Sequence, residues 1–157
     1  MLFPKADSKS DMETNTIFTP NFDSAGLLPA VVTDASTGEL LMVAYMNGEA
    51  IMKTLETGFA HFYSRSRKSL WKKGESSGHE LELVDFRTDC DQDTLWLLVN
   101  MKGPGACHVG YRSCFYRSLK TISDGNKPES DGPTEGPVQL EFVLSSKAFD
   151  PDQTYKK

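Results

Sequence analysis

The 157-residue sequence has only three cysteines, three histidines and two tryptophans, and it has no long hydrophobic run. An odd number of cysteines without a secretion signal predicts reduced thiols in a cytoplasmic protein, not a disulfide framework. Residues 1–15 carry scattered charges and no apolar stretch, so we expect no signal peptide. The apolar run at residues 95–99 (LWLLV) is far too short to cross a bilayer.

An excess of positive charge is also absent. The chain has 22 acidic and 17 basic side chains and a formal net charge of −5. This balance argues against general binding to nucleic acid or anionic membranes, while a local basic pocket stays compatible with it. With 38% hydrophobic and 25% charged residues, the chain is typical of one soluble globular domain that can bury a core.

The apolar pattern predicts a strand-rich α+β fold with one or two helices. The turn at residues 36–38 lies between two apolar runs and predicts a β-hairpin. A helix is predicted from Gly48 to Thr57, with Asn47 as its N-cap and Gly58 at its end. Residues 1–26 are predicted as a loose tail or edge segment and 121–136 as a mobile loop. Further strands are expected within residues 60–66, 81–89, 94–101 (covered on both faces) and 137–144.

The stretch TDCDQDTLW, residues 88–96, places carboxylates at Asp89, Asp91 and Asp93. If this stretch is extended, the three aspartates share one face and Cys90 points the other way. Three adjacent carboxylates repel one another unless a cation lies among them, and oxygen ligands suit magnesium or calcium. An EF-hand loop is excluded because its Gly and Glu positions hold Thr94 and Asn100. An acidic, solvated turn without metal is the alternative.

The cysteines suggest a second kind of metal site. Cys107 and Cys114 bracket the stretch CHVGYRSC, in which His108 follows the first thiol. Together with Cys90 they make three thiols, the set that a tetrahedral zinc site with one open position uses. The C-x6-C spacing is not a zinc-finger knuckle, so inert buried cysteines remain the favoured alternative on spacing alone. A nucleophilic cysteine assisted by His108 is a third possibility.

Residues 62–81 concentrate basic side chains in an otherwise acidic protein. Serines and glycines alternate with them, and guanidinium groups, hydroxyls and free backbone amides are what a phosphate pocket uses. A solvated basic loop with a core tryptophan is the alternative, and the spacing is not that of a Walker P-loop. The candidate ligand-binding residues are Ser64, Arg65, Arg67, Trp71, Lys73, Gly74, Ser77 and His79.

Five motifs occur together and in order: MVAYMN (42–47), HFYSRSR (61–67), LWKKGESSGH (70–79), DCDQD (89–93) and CHVGYRSCFYR (107–117). In this combination the chain resembles the phosphoribosyl-AMP cyclohydrolase family of histidine biosynthesis. The resemblance divides the chain into an N-terminal tail (1–26), a core domain (27–118) and a C-terminal extension with one strand (119–157). It also implies the stand-alone form, without a fused pyrophosphohydrolase domain.

The resemblance implies two metals and a dimer. Magnesium falls on Asp89, Asp91 and Asp93. Zinc falls on Cys107 and Cys114 together with Cys90, which in this family serves the zinc of the other subunit of an intertwined homodimer. The implied partners are a phosphorylated nucleotide and a second copy of the chain, with neither nucleic acid nor membrane.

The implied reaction opens the adenine ring of 1-(5-phosphoribosyl)-AMP at the N1–C6 bond, by zinc-activated water with magnesium assistance. His108 is the first candidate for proton transfer and His61 the second, because a titrating imidazole suits this role near neutral pH. Two alternatives remain. A zinc nucleobase deaminase would release ammonia, but its H-x-E and P-C-x-x-C motifs are absent. A structural zinc module would have four saturating ligands and no turnover.

Overall fold

The computed structural model describes residues 2–119 and 138–156, so the predicted mobile loop at 121–136 lies outside the described residues. Within them the fold is α+β and rich in strands, as predicted. A four-stranded sheet has the order β2-β1-β6-β5, and β3-β4 and β7-β8 are two-stranded sheets. The elements are α1 (Lys9–Thr14), β1 (Leu28–Asp34), β2 (Leu40–Met46), α2 (Gly48–Thr57), β3 (His61–Ser64), β4 (Ser69–Lys72), β5 (Leu81–Thr88), β6 (Leu95–Met101), β7 (Arg117–Leu119), β8 (Leu140–Phe142) and α3 (Pro151–Thr154).

The elements with strong local signals have the predicted bounds. Strands β1 and β2 form the predicted hairpin. The side chain of Asn47 accepts a hydrogen bond from the Ala50 amide at the start of α2, and Gly58 ends the helix in the left-handed conformation at φ 73°. In contrast, β1 and β6 pair in parallel, which no local pattern predicts. With the short helices α1 and α3, the described residues contain three helices, whereas one or two were expected.

The core lies on one face of the large sheet and beneath α2. Leu97 and Val99 of β6 are completely buried there, together with Phe62 of β3. The prediction that β6 is covered on both faces is wrong for the single chain, because Trp96 on the opposite face is 39% exposed. On that face Val31 pairs with Val43 on one side and with Trp96 on the other. An apolar band therefore crosses the sheet on its uncovered side.

The N-terminal segment packs against the rest of the domain. Phe3, Phe18 and Phe22 contact the core cluster, and Thr19 is buried. The amide of Thr19 donates to the side chain of Gln92 at 2.8 Å. The polar composition of residues 1–26 hides three aromatic anchors that are spread too widely to give a periodic signal.

The carboxylate of Asp34 joins the β1-β2 hairpin to the loop that contains two of the cysteines. Its Oδ1 accepts from the hydroxyl of Ser36 at 2.6 Å and from the amides of Ser36 and Thr37. Its Oδ2 accepts from Arg112 at 3.1 Å, and Arg112 also pairs with Glu39. The Ser36 hydroxyl, against an opposing desolvation cost, holds the pKa of Asp34 down from 3.8 to about 2.

We expect Asp34→Ala to lower the free energy of unfolding by about 2 kcal/mol at pH 7. Because the folded-state pKa is depressed, this stabilisation is present above pH 3.8 and is lost as the pH falls towards 2. Urea titrations at several pH values measure it, with the exposed Asp7→Ala as the control. A difference between wild type and Asp34→Ala that stays constant from pH 7 to pH 2 would contradict the prediction.

Candidate active site

The three aspartates come together in a tight turn between β5 and β6. Ligand oxygens of Asp89, Asp91 and Asp93 all lie within 4.8 Å of one another. The turn is fixed by its own hydrogen bonds, because Asp89 Oδ1 accepts from the amides of Asp93 and Thr94, both at 3.1 Å. Three convergent carboxylates on a preformed turn fit a hard divalent cation.

The extended geometry assumed for this stretch is wrong, because β5 ends at Thr88 and the following residues form a turn. The turn requires a positive φ of 53° at Gln92, which is uncommon for a residue with a side chain. The buried Gln92 side chain accepts from the Thr19 amide and donates to the Met12 carbonyl. The aspartates converge because of this turn and its contact with the N-terminal segment. The alternation of side chains along a strand does not bring them together.

The loop from Cys107 to Cys114 doubles back on itself. The amides of Ala106 and Cys107 donate to the carbonyls of Arg112 and Tyr111 at 2.9 and 3.2 Å. The amide of Cys114 donates to Leu41 on strand β2 at 2.8 Å. The loop therefore returns the second thiol to the first while the edge strand of the sheet holds it.

The two thiols of this loop interact directly. Desolvation first, and then the charge of the neighbouring Cys107 thiolate with its hydrogen bond, raise the pKa of Cys114 to about 11. Losing both protons here would require a compensating cation, and a soft divalent metal such as zinc supplies that charge. Within residues 2–119 and 138–156 the aspartates form the only cluster of three potential metal ligands, so Cys90 does not join Cys107 and Cys114 within one chain.

Lys73 connects the cysteine loop to the basic segment. Its ammonium group donates to the Ala106 carbonyl at 2.5 Å, next to Cys107. Burial lowers the pKa of Lys73, and the nearby thiolates of Cys114 and Cys107 oppose that effect. The sequence places Lys73 in a basic run, whereas the structure places it half-buried between the two motifs.

A polar cavity of about 330 Å³ lies beside these groups, within the range of small-molecule sites. Four short pieces of chain line it: the β3-β4 turn at Arg67, the end of β4 with the following glycine-bounded turn, the cysteine loop at His108, and the C-terminal segment. It brings together six of the predicted residues with four others. The lining residues are Arg67, Trp71, Lys72, Lys73, Gly74, Glu75, Ser76, Ser77, His108 and Tyr155.

Three predicted ligand-binding residues lie outside this lining: His79, which packs on Phe149, and the pair Ser64 and Arg65. Ser64 accepts from the backbone amide and the Nε of Arg67, at 3.2 and 3.4 Å, and so shapes the turn that carries Arg67. The guanidinium group of Arg65 lies 4.0 Å from the centroid of the Tyr45 ring. Both side chains therefore have partners within the chain.

The three histidines occupy different environments. His108 is exposed and lines the cavity. His61 is buried in β3, and its Nδ1 donates to the Phe59 carbonyl at 2.8 Å. The centroids of the His79 and Phe149 rings are 4.6 Å apart and the rings are nearly perpendicular. The buried Nδ1 of His79 has no hydrogen-bond partner within the described part of the chain. Among them, His108 alone lines the cavity.

Four cavity residues were absent from the predicted set: Lys72, Glu75, Ser76 and Tyr155. The first three lie within the basic segment, where spacing along the chain does not tell which side chains face inward. Tyr155 is 38 residues or more from every motif of the family resemblance and stands in a polar tail. No local signal marks it.

The site combines cationic and hydroxyl side chains, which suit a phosphate group, with two neighbouring thiols and a separate carboxylate cluster. This arrangement is typical of a metal-dependent hydrolase that acts on a phosphorylated compound. The phosphoribosyl-AMP cyclohydrolase family model matches residues 42–116. A phosphoribosyl-AMP cyclohydrolase from Sinorhizobium medicae is 52% identical over 94% of this chain and 91% of that protein. One from Sinorhizobium fredii is 50% identical over 99% of this chain and 95% of that protein. One from Brucella canis is 57% identical over 80% of this chain and 91% of that protein.

The chain belongs to the phosphoribosyl-AMP cyclohydrolase family. The family resemblance in its motifs is thereby confirmed. Across the described residues, no helix has both the length and the apolar character needed to span a membrane.

Proposed function

We propose that this chain hydrolyses the N1–C6 bond of 1-(5-phosphoribosyl)-AMP in histidine biosynthesis, in the cytoplasm. One water is added: its oxygen bonds to C6 while N1 gains a hydrogen, and the exocyclic nitrogen remains as a carboxamide. The observation that carries this proposal is the cavity that joins Arg67, Lys73 and Ser77 to His108 beside the thiol pair. Anion-binding groups and a proton-transfer group thus border the same space.

The cavity residues divide the binding of the substrate between them. Arg67 and Lys73 provide positive charge, and Ser77 provides a hydroxyl, for the phosphate groups. Trp71 gives an aromatic surface beside them, suited to the purine or imidazole ring. Gly74 permits the close turn, because a Cβ there would lie 2.4 Å from the Glu80 amide nitrogen. Ser64 shapes the turn at Arg67, while Arg65 and His79, which lie outside the lining, stay predictions.

Zinc would be held by Cys107 and Cys114 of one subunit and Cys90 of the partner subunit. When bound with one open position, zinc supplies an acidified water as the nucleophile. His108 would carry the proton from this position to N1, because it is the histidine that lines the cavity and it adjoins a ligand in sequence. His61 is the less suitable candidate, because it is buried and its Nδ1 is engaged with Phe59.

A homodimer is supported by two features of the single chain. The described residues bring together only two of the three thiols, so the zinc set is incomplete without a second copy. The uncovered face of the large sheet carries Val43 and Trp96, which are 44% and 39% exposed, on either side of Val31. An apolar band of this kind is suited to an interface between protomers.

Magnesium would be held by Asp89, Asp91 and Asp93. We expect Asp91→Asn to lose the dependence of activity on added magnesium while its zinc content stays at the wild-type level, because the two sites use separate side chains. Activity against magnesium concentration and metal analysis of the purified protein test this. Asp152→Asn, an exposed aspartate far along the chain, is the matched control. Loss of zinc from Asp91→Asn would contradict the presence of two separate sites.

The proposed function is tested by following ring opening through its ultraviolet absorption change, with 1-(5-phosphoribosyl)-AMP as substrate. We expect turnover without ammonia release, and its loss on treatment with a zinc chelator. Release of ammonia would indicate a deaminase instead. Absence of turnover in the zinc-loaded dimer would favour a structural zinc module.

A further inference from the structure

The C-terminal segment returns to the cavity that the family motifs build. Tyr155 contributes to the lining together with Arg67, Lys73 and His108, although it lies well beyond residues 42–116. The ring of Phe149, in the same segment, packs against the ring of His79, with 4.6 Å between the ring centroids and an interplanar angle of 84°. The segment therefore contacts the site at two points.

Backbone hydrogen bonds fix this segment to the cysteine loop. The Gly110 carbonyl accepts from the amides of both Ala148 and Phe149, at 2.8 and 3.2 Å. Gly110 lies between Cys107 and Cys114, so the attachment is to the loop that presents both thiols. The C-terminal segment is thus attached to the cysteine loop of the site.

Two glycines of the cysteine region leave the space that the segment fills. A Cβ on Gly110 would lie 2.6 Å from the Phe149 carbonyl oxygen, and the φ of 108° there also disfavours a side chain. A Cβ on Gly105 would lie 3.0 Å from the ring of Phe149. The core domain is therefore shaped to receive residues 148–149 in this position.

A single helical turn then carries the chain from Phe149 to Tyr155. Asp150 caps α3 by accepting from the Asp152 amide at 2.9 Å, and the Tyr155 amide donates to Pro151 at 2.9 Å. The rings of Phe149 and Tyr155 are 6.4 Å apart. Tyr155 is thereby positioned by a capped turn whose base is anchored on the cysteine loop.

We propose that Tyr155 is a substrate-binding residue whose hydroxyl donates a hydrogen bond to a phosphate oxygen of the ligand. The cavity wall that Tyr155 completes is otherwise rich in cations and serine hydroxyls, which indicates an anionic ligand. A phenol hydroxyl adds a directional hydrogen-bond donor beside the ammonium and guanidinium groups of this wall. This inference rests on the proposed function for the identity of the substrate.

The test is Tyr155→Phe, which removes the hydroxyl and leaves the ring. We expect the KM for 1-(5-phosphoribosyl)-AMP to rise about tenfold while kcat changes by less than about twofold, since one hydrogen bond to a charged group is lost. The Kd for AMP, measured by calorimetry, should rise by a similar factor. Gln153→Ala, an exposed neighbour on the same turn, should leave both constants unchanged.

A second variant tests the anchor. Phe149→Ala should raise KM at least as much as Tyr155→Phe, because it removes the contact with His79 that holds the segment. Phe142→Ala, an exposed aromatic residue of the same extension that packs on Tyr116, should not. An unchanged KM in Tyr155→Phe overturns the proposed contact, and an unchanged KM in Phe149→Ala overturns the proposed anchor.

The two proposals fail in different ways. If the wild-type protein does not open the ring but Tyr155→Phe still weakens AMP binding, the proposed reaction is wrong and the role of Tyr155 stands. If the wild-type protein turns over and Tyr155→Phe matches it in KM and in AMP affinity, the role of Tyr155 is wrong and the reaction stands.

Discussion

Cys114→Ser is expected to lose zinc and to lower turnover by about a thousandfold or more, since an activated nucleophile contributes several kcal/mol to the barrier. A serine hydroxyl stays protonated where a cysteine becomes a thiolate ligand, so the substitution removes a ligand at small steric cost. The backbone contact from residue 114 to Leu41 does not involve the side chain and should remain. The dimer should therefore persist.

Metal analysis, the ultraviolet assay and light scattering of the same sample measure these three properties together. The Ser113 hydroxyl, by comparison, donates to the Leu40 carbonyl at 2.6 Å, so Ser113→Ala should lower the unfolding free energy and leave zinc bound. Full turnover by a zinc-free Cys114→Ser protein would contradict the role of zinc in the reaction. Loss of the dimer in this variant would show that the shared zinc site is needed to hold the two subunits together.

Mixing two inactive variants should restore activity if Cys90 serves the partner subunit. Cys90→Ser and Cys107→Ser homodimers should each be inactive, because every zinc set in them lacks one thiol. In a mixed dimer, one set combines Cys107 and Cys114 of the first chain with the intact Cys90 of the second. Each mixed dimer has one complete site of two, so we expect the isolated mixed dimer to have about half of wild-type activity.

The measurement is activity after the two variants are co-expressed with different purification tags, and both tags are used to isolate the mixed dimer. Cys107→Ser mixed with Cys114→Ser is the matched control, since both changes fall in the same half of the zinc set. That mixture should stay inactive whether Cys90 serves the zinc site of its own subunit or that of the partner. No recovery in the first mixture would contradict the sharing of one zinc site between the two subunits.

Local signals account for the parts of the fold that the sequence predicted correctly. Helix α2 has an N-cap at Asn47 and a left-handed glycine at its end, and both act within one turn of the helix. The parallel pairing of β1 with β6 joins segments about 65 residues apart, and it depends on packing that no local pattern encodes.

The sequence predicted which types of residue form the site better than it predicted how they are arranged in space. The aspartates do converge, but through a turn that the alternating pattern of a strand does not describe. Six cavity residues were identifiable because cations, hydroxyls and glycines concentrate in one segment and one histidine follows a cysteine. Tyr155 was not, because its place in the site follows from contacts between distant parts of the chain.

The contact between Gln92 and the N-terminal segment has a consequence for the order of folding. The hydrogen bond from the Thr19 amide to Gln92 spans 73 positions of sequence, and a second one, to the Met12 carbonyl, spans 80. Contacts that close such long loops form late, because the entropy of closure is lost before they contribute stability. The aspartate turn should therefore gain its final conformation only after the sheet has assembled and the N-terminal segment has docked onto it.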